Sequence, residues 1–123
     1  MPEKPLAFVG AALAELRAFP DAARRAAGHQ LHLVQHGLAP GDWKPMASVG
    51  PGVREIRIHT GVEHRVLYVA KFAEAVYVLH AFQKKSTKGI ATPKHTLDLI
   101  DERLKEAKAR HAERSRREGP GHE

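Results

Sequence analysis

Residues 53–88 read VREIRIHTGVEHRVLYVAKFAEAVYVLHAFQKKSTK. Three apolar runs rich in Val, Ile, Tyr and Phe are separated by two short breaks carrying Gly or small residues, which is the pattern of consecutive strands. The expected structure is an antiparallel three-strand meander over 53–59, 64–71 and 76–83, with Thr60 to Glu63 as the first connection. A strand sends alternate side chains to opposite faces. The first run therefore places Arg54, Ile56 and Ile58 on one face and Val53, Glu55, Arg57 and His59 on the other. In the second run Val66, Tyr68 and Ala70 separate from Arg65, Leu67, Val69 and Lys71. The third run is apolar on both faces, as expected of a central strand or one covered on both sides.

The segments on either side suggest helices packed against that sheet. KPLAFV at residues 4–9, bounded by Pro5 and Gly10, fits an edge strand, because proline at a strand start removes no central ladder bond. AALAELRAF at 11–19 is a short helix that Pro20 ends. Asp21 opens a second helix, where its carboxylate meets unpaired amides and the positive end of the dipole. Ala23, Ala27, Leu31, Val34 and Leu38 form its apolar stripe, and Gly37 suits its C-terminal cap. Gly28 inside this helix costs about 1 kcal/mol relative to Ala, so a close packing contact is expected there. The two helices make a hairpin able to cover one sheet face. Residues 39–52, with three prolines and three glycines, form a linker with turns rather than an element. Trp43 and Met46 within it either fold back as a lid over the core edge or stack on a base. Thr92 and Pro93 start a last helix striped by Leu97, Ile100, Leu104 and Ala107, with Asp101–Lys105 and Glu106–Arg110 as supporting pairs. From His111 the stripe ends, so the expected organisation is one domain over 1–110 and a polar, disordered tail over 111–123.

At 123 residues the chain is long enough to bury one core without staples. It has no cysteine, so neither disulfides nor thiolate metal sites contribute, and a reducing cytoplasm is the default compartment. No convincing signal peptide or membrane span is present. The net charge of +6 points to a polyanion or an acidic partner. Seven Lys/Arg stand against three Asp/Glu in residues 51–90, whereas the segments before and after are nearly balanced. The cationic element is the meander.

KPL near the start, DWKPM, VGPGVREIRI, HRVLYVAKF, AVYVLHAFQKKS and a TPK-led final helix together resemble the phage-related RelE/ParE-type toxins, in the HigB-like branch of type II toxin–antitoxin modules. The resemblance covers roughly residues 4–108 and implies an α+β fold: an antiparallel sheet of the N-terminal edge strand and the meander, carrying a helical hairpin and a C-terminal helix. It also implies mRNA interferase activity, a metal-independent endoribonuclease acting on translating ribosomes without a cofactor. The implied partners are mRNA, the ribosome and a cognate antitoxin that holds the toxin silent in a hetero-oligomer; no membrane is involved. ParE-like members instead inhibit a topoisomerase, and that is the alternative activity. The matching positions of the active surface are Arg57, Arg65, Lys84 and Lys85, with Tyr68, Phe82, Lys88 and His59 expected to contact RNA. STKGIATP is longer than the usual segment after FQKK.

Cleavage of RNA by its own 2′-hydroxyl needs a base, cations at the phosphorane and an acid for the leaving oxygen. Arginine suits the phosphate through its planar two-donor fork, which gives that role to Arg57 and Arg65 on adjacent strands. Lys84 is the proton-transfer candidate, since crowding by cations eases deprotonation, with Lys85 as electrostatic support. Tyr68 or Phe82 would stack on an unpaired base. The same cations also fit a solvated face that binds an acidic antitoxin segment, and rings in apolar strands fit a core. His59, His64, His80 and His95 border the meander as alternative bases, without a pattern that selects one. His29, His32 and His36 share a helix at zinc-like spacing but lack a third-element ligand.

Overall fold

The structure, a computed structural model, describes residues 3–84 and 93–117. Among them the order is β1 (Leu6–Phe8), α1 (Ala12–Arg17), α2 (Asp21–Gln35), β2 (Trp43–Pro45), β3 (Val53–His59), β4 (Glu63–Val69), β5 (Val76–Gln83) and α3 (Lys94–Arg117). Lys85, Lys88 and Thr92 lie outside the described residues, as do 118–123. No helix among the described residues is long and apolar enough to cross a membrane.

The strands form one sheet in the order β1-β5-β4-β3-β2. The meander forms, with Gly61 at φ +92 in its first turn, but its middle strand runs Glu63–Val69 rather than 64–71, because Glu63 pairs with His59 and so joins the ladder instead of the connection. Two features correct the expected antiparallel sheet. β1 pairs with β5 in parallel, Leu6 opposite Val76, so the sheet is mixed. Whole helices and strands separate the two, which supplies the long crossover that a parallel pair requires. β2 falls within the segment expected to be only a linker: Trp43, Lys44 and Pro45 pair with Ile56, Glu55 and Arg54. As an outer strand it tolerates a proline.

Each face of the sheet carries its own core. On one face the α1–α2 hairpin packs Leu16, Phe19, Ala23, Ala27, Leu31 and Val34 against Ile56, Ile58, Val66, Tyr68, Val76 and Val78. On the other, Ile100, Leu104 and Ala107 of α3 pack against Val53, Leu67, Val69, Tyr77 and Leu79, with Val9 and Ala75. Residues such as Leu31, Ile56 and Leu79 are 0% exposed, and burying each contributes about 1.5–3 kcal/mol. Met46 packs onto the α3 core, as a lid would. Trp43 lies instead in β2 beneath the Arg54 guanidinium, 4.6 Å from its ring centroid.

Three local expectations are also revised. Gly28 has nothing within 4 Å of where a Cβ would stand, so no packing contact explains it. The last helix continues to Arg117, past the expected end at His111. His111 anchors that extension: its Nδ1 meets the Glu74 carboxylate at 2.9 Å and its ring stacks on Phe72 at 4.3 Å. The buried ring of Tyr68 belongs to the core beneath the hairpin, so it offers no face to a base.

Candidate active site on the sheet

Pairing across β3, β4 and β5 lines up a grid on the face that α3 covers in part. Arg57 stands opposite Arg65, and Arg65 opposite Phe82. One step along, His59 stands opposite Glu63, whose carbonyl accepts the Lys84 amide at 2.8 Å. One step the other way, Glu55 faces Leu67 and Leu67 faces His80. The row of Arg57, Arg65 and Phe82 thus brings three expected site residues together, with Lys84 exposed at the strand exit.

Acids accompany these cations. Glu55 is 6% exposed and its Oε1 lies 3.6 Å from Arg57 Nε and 3.8 Å from Arg65 Nε. Both Nε atoms are buried without a hydrogen bond among the described residues, so Glu55 acts on them through charge at short range. Arg65 also donates from Nη1 to Glu63 Oε1 at 2.9 Å and to the His64 carbonyl at 3.1 Å. Arg65 is therefore a buried guanidinium held through Nη1, while the Arg57 side chain is one-third exposed.

His59 sits between two carboxylates, its Nε2 2.6 Å from Asp42 and its Nδ1 2.7 Å from Glu63. Hydrogen bonds to Asp42 and then Glu63 raise its pKa, and the bonds from His59 and Arg65 lower that of Glu63. The clamp ties the approach to β2 onto the hairpin. The acids beside His59 also oppose the RNA contact expected of it. Its neighbour His64 is buried against Phe19, with ring centroids 4.4 Å apart. His95 is exposed at the start of α3. Among the described residues no group of three His, Cys, Asp or Glu is placed to hold a metal ion.

Sequence reasoning missed the second charged cluster. β1 covers β5 only as far as Val78, so the next backbone groups of that edge need other partners. Arg103 of α3 donates to the Leu79 carbonyl at 2.9 Å, and Glu15 of α1 accepts the Ala81 amide at 3.2 Å. Glu15 Oε1 also accepts from Arg103 Nη1 and meets His80 Nδ1, each at 2.8 Å. Burial alone would push the Glu15 carboxyl up, but the bonds from Arg103, His80 and Ala81 outweigh it and hold the group below its usual range. Contacts across 65 and 88 residues of sequence leave no local pattern to find.

A family model described as phage-derived protein Gp49-like (DUF891) matches residues 14–105. The match runs from α1 through the meander into α3 and includes Glu15, the whole grid and Arg103. No curated protein matches the chain. Gp49-like proteins form part of the RelE/HigB-like toxin group of toxin–antitoxin systems. With its α+β fold and a match over most of its length, the chain belongs to the phage-derived Gp49-like family.

Proposed function

We propose that this chain is the toxin of a type II toxin–antitoxin module and that it cleaves mRNA on translating ribosomes by a metal-independent route. The observation that carries this reading is the cross-strand row of Arg57, Arg65 and Phe82 with Lys84 at its end. Its parts fit the chemistry. Arg57, the more exposed guanidinium, neutralises charge on the phosphate as the 2′-oxygen attacks. Arg65 acts from beneath, holding Glu55 and Glu63 so that the Arg57 fork stays aimed. Phe82, half-buried at the end of β5, supplies a ring for an unpaired base. Lys84 adds positive charge where the leaving oxygen departs. Lys85 and Lys88 extend the same basic sequence and share its role.

A cognate antitoxin completes the module. The excess of positive charge in the meander favours an acidic or amphipathic segment laid across the sheet or the hairpin, silencing the toxin in a hetero-oligomer. Action on ribosomes places the chain in the cytoplasm.

Induced expression followed by transcript mapping tests the reading. Growth arrest with cleaved transcripts is expected, and Arg57→Ala or Lys84→Ala should lower cleavage about 10- to 100-fold. Intact transcripts accompanied by altered DNA supercoiling would replace this reading with topoisomerase inhibition. Co-expression with the neighbouring gene should restore growth, and continued toxicity would count against the antitoxin assignment.

A further inference from the structure

We propose that His80 is the general base of this site and that Glu15, reaching in from α1, fixes the tautomer in which it works; the assignment rests on the endoribonuclease reading above. The first argument is a break in strand alternation. Leu67 stands opposite His80 and the next residue, Tyr68, opposite Val78, which leaves Leu79 as the extra residue of a bulge. Val76 and Val78 face the hairpin core, so unbroken alternation would send His80 there too. The bulge turns His80 to the other face, beside Arg65 and Phe82. Bulges of this kind re-aim side chains next to active sites.

The second argument is the company His80 keeps. An ionised carboxylate only accepts hydrogen bonds, so the 2.8 Å contact with Glu15 Oε1 places the ring proton on Nδ1. In the neutral ring the lone pair is then on Nε2. Arg103 Nη1, 3.4 Å from Nδ1, directs its donors to Glu15 and the Leu79 carbonyl instead. The Phe82 ring stacks on the imidazole at 4.9 Å and 22° and limits its rotation. The charged groups around His80 are Glu15 from α1, Arg103 from α3, Arg65 from β4 and Lys84 just past the end of β5. The His80 side chain is 11% exposed, and a histidine oriented through Nδ1 by a carboxylate has Nε2 as its basic atom, the arrangement by which a base is held for proton abstraction.

In the proposed step Nε2 takes the proton of the 2′-hydroxyl as that oxygen bonds to phosphorus. The bond from phosphorus to the 5′-oxygen breaks, and the leaving oxygen takes a proton from the Lys84 ammonium. The products are a 2′,3′-cyclic phosphate and a 5′-hydroxyl, with no change of oxidation state. The ring and Lys84 return to their starting states by exchanging one proton with water.

Single-turnover cleavage by the full chain on mRNA-programmed ribosomes, followed across about pH 5 to 8, tests this. His80→Gln keeps an amide donor for Glu15 and should fold, checked by circular dichroism, yet lose about 100-fold in rate together with the acid limb of the pH profile. Glu15→Gln should lose about 10-fold, less than His80→Gln because the ring remains. Nitrogen NMR of the neutral imidazole should show Nδ1–H alone in the wild type and mixed tautomers in Glu15→Gln. If the wild type cleaves while His80→Gln retains its rate and profile, the assignment is overturned and the nuclease reading stands. Mixed tautomers in the wild type would overturn the role of Glu15. A wild type that cleaves nothing would overturn both the assignment and the reading beneath it.

Discussion

Arg103 shows how one side chain joins three elements, since its guanidinium meets Glu15 of α1 and the Leu79 carbonyl of β5 from its own place in α3. Replacing it with Met would leave a partly buried carboxylate and a strand carbonyl without their donor, at an expected cost of about 2–4 kcal/mol in urea unfolding. The Glu15 carboxyl titrates below its usual range in the folded chain. Its contribution is therefore complete above the unfolded carboxylate pKa and is lost as pH falls through the lower folded value. Acid unfolding of Glu15→Gln should show a correspondingly weaker pH dependence. His59 has the opposite sign. Its pKa is raised, chiefly by Asp42 and then Glu63, so its clamp stabilises fully below the ordinary histidine pKa and fades as pH rises through the folded value. The stability difference between wild type and His59→Gln, measured by urea titration at a series of pH values, should shrink over that alkaline step. A difference that grows with pH would contradict the clamp.

Two glycines separate packing from propensity at the scale of elements. Gly28 lies exposed in α2 with open space around it, so Gly28→Ala should stabilise by about 1 kcal/mol through helix propensity alone. A Cβ on Gly50, by contrast, would overlap the Leu104 side chain. Gly50→Ala should thus destabilise by about 1–3 kcal/mol as α3 is pushed from the sheet, and thermal melts of the two variants should move in opposite directions. The same scale shows what was legible. The outer strands of the meander, 53–59 and 76–83, have the bounds their sequence implies, because the first alternates apolar with polar residues and the last, buried on both sheet faces, is apolar nearly throughout. β2 was not legible: it has three residues, one of them proline, and is defined by pairing with β3 rather than by periodicity. Nor was the bulge, since an apolar run on both faces carries no alternation for an extra residue to interrupt. Alternation and pairing did place Arg57 and Arg65 on one face. The burial of Arg65 and the ion pairs to Glu55 and Glu63 depend on register and three-dimensional enclosure, and Glu15 and Arg103 come from distant helices.

Viewed whole, the molecule divides its sheet between two tasks. The hairpin face is closed by α1 and α2 into an apolar core, whereas the opposite face is apolar under α3 and charged toward the outer ends of β3, β4 and β5. That division concentrates charged side chains on one region of the sheet. Membership of the Gp49-like family gives the region its context among toxins. The most direct test adds the purified chain to a reconstituted translation reaction and maps mRNA ends with time. The account predicts loss of full-length message only while ribosomes translate, with 2′,3′-cyclic phosphate and 5′-hydroxyl ends at the cuts. Message that stays intact under translation while growth still stops on expression would contradict it.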